Sequence, residues 1–342
     1  MTEADLAELG VHRIAVPIPF VAAGGPVNVY VVEDLDGGLL LVDAGLGSAA
    51  AQEAVVAGFA ALGRRFDEVR RVVLTHGHVD HYGGVAPLAE LRAAAGAAGL
   101  ARLQVFAHPV DHAKVAESGR RWSALAPHYA AHLARLGLPP EAVRAVVREG
   151  EHSFTMARRI AAVVPLGEGA RLRTRALELE VLHMPGHTPG LLCLYDRAHR
   201  LLFSGDHLLE RTSPNPLIEL GPDGEDGWFR PLVAYAESLA RTRALEVDLV
   251  LPGHGPPFSG HRAVIDGLLR FYARRQGRLL EVLAEGPRTA FELARALFPV
   301  SRPGELFLVM SETMGNLEVL ERSGAVGRTE EDGVYRYRRA PG

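Results

Sequence analysis

Runs of alternating and continuous apolar positions divide the chain. HRIAVPIPF, VNVYVVED and GGLLLVDAG, between residues 12 and 45, are β-branched and apolar and are separated by Gly, Pro and Asp, so they predict three strands. An alanine-rich run from about Ser48 to Leu62 predicts a helix with Ser48 as its N-cap. VRRVVLTH (69–76) reads as a short buried strand, followed by a helix over about 85–95 and a strand at LQVFAH (103–108). Residues 111–162 break this rhythm. They read as helical, with helices around HYAAHLARLG and PEAVRAVVREG split by Leu138-Pro139-Pro140. Strands resume in RLRTRALELEVLHM, GLLCLYD and RLLFSGD, then a helix near 231–242 and the strand VDLVLPGH. Two successive halves of strands and helices imply layered α/β packing, with helices covering sheets.

From about residue 261 the pattern becomes helical. A long helix over about 261–285 ends at Gly286-Pro287. A second opens with Thr289 and Glu292 at capping-box spacing, and a third runs from about Gly304 to Ser323. AVGRTEEDGVYRYRR predicts a hairpin turning at Asp332-Gly333. Three helices and a ribbon resemble a winged-helix module. The expected division is therefore a first domain over 1–262, with the helical insert 111–162, and a winged-helix-like domain over 263–342.

Composition narrows the chemistry. Of 342 residues 48% are hydrophobic, enough for a substantial core, and the formal net charge of −4 supplies no global field for nucleic acid. Cys193 is the only cysteine, so an intrachain disulfide and a thiolate metal cluster are both excluded; a bound metal would need nitrogen and oxygen ligands. Lys114 is the only lysine. The N-terminus MTEADLAELG lacks a basic n-region and no run of ~18 apolar residues occurs, so a cytoplasmic protein that does not span a membrane is expected.

The densest chemistry lies in LTHGHVDHYGG (74–84). His76 and His78 are two apart, which places both on one side of an extended segment. Asp80 and His81 fall in the following turn, within reach of a second ion. Further ligand types stand where strands meet loops: His187 in HMPGHTPG, Asp206 in FSGDHLL and His254 in LVLPGHGPP.

H-x-H-x-D-H, P-G-H-T-P-G, S-G-D and P-G-H-G, in that order, resemble the metallo-β-lactamase superfamily over about residues 10–260. The resemblance implies a four-layered αββα sandwich. It also implies a first metal on His76, His78 and His187, a second on Asp80, His81 and His254, and Asp206 bridging them, with Asp43 of LLLVDAG supporting the site from behind. Asp80 and Asp206 are then the carboxylates closest to the reaction. Two zinc ions are the first expectation for a His-rich site without thiolate, with Mn or Fe as alternatives. They would generate a bridging hydroxide that attacks an ester, thioester or lactone carbonyl.

The absence of a cysteine ligand points away from antibiotic hydrolysis, toward the glyoxalase II, lactonase and nuclease branches. A small-molecule substrate is the first expectation. The alternatives are an endoribonuclease or phosphodiesterase that holds RNA with its tail, and a mononuclear iron persulfide dioxygenase. A homodimer through the helical tail is also expected. The insert reads either as packing alone or as a lid carrying Trp122, Tyr129, Phe154 and Met156, with Trp122 and Tyr129 as substrate contacts. His207 reads either as a substrate contact or as a structural strand-end histidine.

Overall fold

The computed structural model describes residues 3–20, 25–96, 103–299 and 304–341. Its first sheet has six strands in sequential order: β1 (Val11–Val16), β2 (Val27–Glu33), β3 (Leu39–Val42), β4 (Val69–Val73), β5 (Gln104–Ala107) and β6 (Val164–Pro165). The first three pair antiparallel, and β3 to β6 run parallel. The second sheet comprises β7 (Arg171–Arg173), β8 (Glu178–His183), β9 (Leu192–Asp196), β10 (Leu201–Gly205) and β11 (Leu249–Pro252), in the order β11-β10-β9-β8-β7. Only its β10–β11 pair is parallel. A separate ribbon joins β12 (Val326–Glu331) to β13 (Val334–Arg339).

The helices are α1 (Glu3–Glu8), α2 (Ala49–Ala61), the single turn α3 (Val79–Tyr82), α4 (Val85–Ala94), α5 (His112–Glu117), α6 (Gly119–Arg135), α7 (Pro140–Phe154), α8 (Pro231–Arg243), α9 (His261–Leu283), α10 (Ala290–Leu297) and α11 (Leu306–Arg322).

The two-residue period of a strand explains the layers. In β2, Val27, Val29 and Val31 enter one core with Val55 and Phe59 of α2 and Leu88 of α4. Tyr30 and Val32 point the other way, into a core shared with Leu179, Leu194 and Phe203 of the second sheet. The far face of the second sheet, through Cys193, Tyr195 and Leu202, packs on Leu239 of α8 and Ile265 of α9. The result is helix, sheet, sheet, helix. Because inner strands bury both faces, they read as continuous apolar runs rather than as alternation.

Local differences from the sequence reading have local causes. RLRTRALELEVLHM splits into β7 and β8 because Thr174 turns the chain: its N–H donates to the Leu177 carbonyl (2.9 Å) and its hydroxyl accepts from the Leu177 N–H (3.0 Å). The short β6 and the N-terminal α1 had no periodic signal. The Thr289–Glu292 capping box forms at the start of α10.

A fourth core lies apart from these layers. Leu125, Leu133 and Val146 of the insert interdigitate with Leu293, Met310 and Leu317 of the C-terminal helices. The amide of Phe291 donates to the Leu136 carbonyl (3.0 Å), tying α10 to the end of α6. Insert and C-terminal region therefore bury their apolar faces against each other. Among the described residues, no helix is long and apolar enough to cross a membrane.

Candidate metal centre

Parallel pairing of β3 with β4 brings their C-terminal ends side by side. Asp43 follows β3 with φ +62° and Thr75–His76 follow β4. The chain then bends through Thr75–Gly77 to His78, which precedes α3, so Asp80 and His81 sit on one short turn. Gly83 and Gly84 then permit close approach to the loop after β3; a Cβ on Gly84 would stand 2.0 Å from the Ala44 carbonyl oxygen. His187 comes from the loop after β8, Asp206 from the end of β10 and His254 from the end of β11. Gly253 lets that last loop pass Asp206, whose Oδ1 lies 2.2 Å from where a Cβ would be.

The structure brings all seven of these side chains together. His76 Nε2 and His187 Nε2 lie 2.9 and 3.0 Å from His78 Nδ1. His254 Nε2 is 3.5 Å from Asp80 and 3.4 Å from Asp206. Asp206 reaches His81 Nε2 and His187 Nε2, each at 3.5 Å. Close groups are formed by His76, His78 and His187, by His76, His81 and Asp206, and by Asp80, His81 and His254.

The outer ring nitrogens are held. His81 Nδ1 meets Asp43 Oδ2 at 2.7 Å, His187 Nδ1 the Asn215 carbonyl at 2.8 Å, and His254 Nδ1 the Gly25 carbonyl at 3.2 Å. Each ring thus donates from Nδ1 and turns Nε2 inward. Asp43 is itself fixed by the Thr75 amide (2.7 Å) and hydroxyl (2.8 Å).

Three observations fit a metal here. His81 Nε2, His254 Nε2 and Asp206 Oδ1 are buried with no hydrogen-bond partner, a costly arrangement unless something binds them. Separations of 3.4–3.5 Å are long for hydrogen bonds, yet they match donor atoms shared by one tetrahedral ion, roughly 3.3 Å apart at ~2.0–2.1 Å from the metal. The donors are nitrogen and oxygen, a set suited to borderline divalent ions.

Charge agrees. Burial, reinforced by neighbouring imidazoles, keeps His76 and His78 well below the usual histidine range, in the neutral form that can ligate, and burial also lowers His187. Burial would favour the protonated acid at Asp80, but His81 and His254 hold it at about 2. Asp206 is likewise held well down, against burial, by His254 and His81. Those two histidines are raised despite burial, His254 to about 10, chiefly by Asp206. The buried carboxylates demand positive charge, which protons on His81 and His254 supply when no cation does.

A cavity of about 740 Å³ opens on this centre; its wall includes His78, Asp80, His187 and Asp206. Trp122, Tyr129 and Phe154 of the insert line it, whereas Met156 turns its carbonyl toward Gly47. His207 does not line it. It is fully buried, its Nε2 lies 2.7 Å from the Thr242 hydroxyl, and burial pushes it down to about 3, so the structural alternative holds for this histidine.

Two features escaped the sequence reading. Gly304, Glu305, Phe307, Leu308, Val309 and Glu312, at and beyond the start of α11, belong to the cavity wall, so the C-terminal region shapes the pocket. Asp111, fully buried, accepts through Oδ2 from the Gly77 amide (2.9 Å) and the Thr188 hydroxyl (3.1 Å). One carboxylate thereby clamps the His76–His78 loop to the His187 loop. Lys114 approaches Asp111 (3.5 Å) and pairs with Glu219. The signal available was the position of Asp111 just past a strand end, like Asp43, and the singularity of Lys114.

Residues 22–254 match the sequence pattern of the metallo-β-lactamase superfamily. The chain belongs to this superfamily. It is 32% identical over 319 residues, 92% of this chain and 93% of the relative, to the probable metallo-hydrolase YqjP of Bacillus subtilis (strain 168). It is 29% identical over 195 residues, 56% of this chain and 58% of the relative, to the acyl-coenzyme A thioesterase MBLAC2 of Gallus gallus. A crystal structure of a metallo-β-lactamase family protein from Thermus thermophilus superimposes with a TM-score of 0.79 at 31% identity, covering 97% of this chain and 99% of that one. A β-lactamase domain protein from Burkholderia ambifaria gives 0.76 at 27% identity, covering 97% and 93%. Superfamily membership and a hydrolase-type site make the protein an enzyme.

Proposed function

We propose that the protein is a dinuclear metal-dependent hydrolase acting on an ester, thioester or lactone carbonyl of a small molecule. The observation that carries the reading is the convergence of seven donor side chains, with unpartnered buried atoms on His81, His254 and Asp206. His76, His78 and His187 would hold one ion, Asp80, His81 and His254 the other, and Asp206 would lie between them; zinc suits the donors best. Bound there, two divalent ions supply an acidified water as nucleophile and a Lewis acid for the carbonyl oxygen.

The chain's own residues do the remaining work. Asp43 and the Asn215 and Gly25 carbonyls fix the imidazole tautomers. Asp80 and Asp206 provide the negative charge that retains the cations. The apolar cavity wall restricts water around the reacting carbonyl, which strengthens electrostatic interactions inside the site. Similarity to an acyl-coenzyme A thioesterase supports the choice of thioester and ester substrates over phosphodiesters.

Chelation should abolish hydrolysis of p-nitrophenyl and thioester substrates, and Zn or Mn should restore it. Asp206→Ala should lower kcat/KM by about 10³-fold or more, as expected when a group acting on the reacting centre is lost, while the exposed His152→Ala stays near wild type. Undiminished hydrolysis after complete metal removal contradicts the proposal, as does one iron per chain with oxygen uptake.

A further inference from the structure

The cavity beside the candidate metal centre has a wall whose chemistry selects an occupant. We infer that it receives the apolar acyl arm of a medium-chain ester or thioester, with the scissile carbonyl directed toward Asp80 and Asp206. The inference rests on the hydrolase proposal for its reaction and on the wall for its specificity. In that reaction water's oxygen adds to the acyl carbon and the bond from that carbon to the alcohol oxygen or thiol sulfur breaks. The leaving atom takes one water proton, and a carboxylate and a second proton are released.

The indole of Trp122 lies between two further rings. It stacks on Tyr129 (centroids 5.1 Å apart, planes at 29°) and on Phe154 (5.7 Å, 25°). Leu125 and Val146 from the insert and Phe307 from the C-terminal region extend the same surface. Of the ionic groups in the wall, Lys114 is paired with Glu219 and Glu312 with Arg275 at 2.9 Å, while Arg121 and Glu149 also line it. Burying an apolar chain against the aromatic and aliphatic part of this wall is favourable. The volume of about 740 Å³ lies within the roughly 300–1,000 Å³ of small-molecule sites.

The wall is also braced. A Cβ on Gly150 of α7 would stand 2.1 Å from the Trp122 ring, so the indole is pressed against bare backbone. Any side chain there displaces it. Since insert and C-terminal helices share one core, the shape of the arm pocket depends on both regions.

The test uses the full-length, metal-loaded protein and p-nitrophenyl esters from acetate to octanoate. kcat/KM should rise about fourfold for each methylene buried. Val146→Phe, which fills the cavity, and Gly150→Ala, which moves Trp122, should each lower octanoate kcat/KM about tenfold or more, through KM. The octanoate-to-acetate ratio of kcat/KM should fall by the same factor. A second measurement needs neither metal nor turnover. The chain has two tryptophans, and Trp228 is exposed, so Trp228→Phe leaves Trp122 as sole reporter. Titration with sodium decanoate should shift Trp122 emission saturably, whereas acetate should not.

Equal kcat/KM along the ester series overturns the inference. So does an equal loss for both esters in a Val146→Phe variant with an unchanged melting curve, or a Trp122 signal indifferent to decanoate. Metal-loaded protein that hydrolyses no ester would defeat the hydrolase proposal, and the decanoate titration would still decide the arm pocket.

Discussion

Asp43 shows how one side chain organises a site it need not enter. Its carboxylate is buried, fixed by Thr75, and presented to His81 Nδ1 at 2.7 Å. Asp43→Asn should weaken the second ion by about 10- to 100-fold, the usual effect of losing an outer partner of a ligating histidine, as read by competition with a chelating dye. A melting temperature near wild type would show that the effect is on the ion. At this scale the sequence was most informative. His76 to His81 are nearly contiguous, and His187, Asp206 and His254 follow Gly-rich strand ends, so each position announced itself locally. Asp111 and His207 did not. The partners of Asp111 lie 34 and 77 residues away, and whether the residue after Asp206 faces a cavity or a core depends on Thr242 and Tyr235, which no neighbouring position reveals.

Among the elements, strand ends set the site and clamps between loops keep it. Asp111→Ala should destabilise the fold by about 2–4 kcal/mol, because the Gly77 amide and the Thr188 hydroxyl lose their acceptor and Lys114 loses a counter-charge. Urea denaturation checks this; a change under ~0.5 kcal/mol would mean that the clamp is energetically idle. Helix α11 supplies a pH test. Glu318 has a buried oxygen without a partner, and burial raises its acid to about 8. A carboxyl with a folded value above its unfolded one contributes fully below about 4.5 and loses that contribution as pH rises toward 8. Wild-type stability should therefore fall relative to Glu318→Gln over that window, by at most about 1.4 kcal/mol per pH unit. Parallel slopes for the two proteins would contradict it. The strands were readable from their apolar runs, but the break in RLRTRALELEVLHM was not, since it turns on one threonine hydroxyl.

The whole molecule adds a core that joins the insert to the C-terminal helices. Their stripes of Leu, Val and Met could be read as buried faces, but a stripe does not name its partner. The sequence left the packing of insert and tail open, and the structure shows that they share one interior. Differential scanning calorimetry should accordingly show insert and C-terminal region unfolding together. Ending the chain at residue 285, which keeps α9, should expose Leu125, Leu133 and Val146 and lower the transition; an unchanged melting temperature would show that the shared core contributes little. The layered architecture was legible, because β2, β3, β9 and β10 divide their residues between two cores at period two.

The central claim is that seven side chains gather a pair of divalent ions. Elemental analysis of the protein reconstituted with zinc and freed of loosely bound metal tests it most directly. The proposed dinuclear centre predicts two ions per chain, falling to one or none in Asp206→Ala. Saturation at a single ion, or two ions retained when Asp206 is replaced, would contradict it.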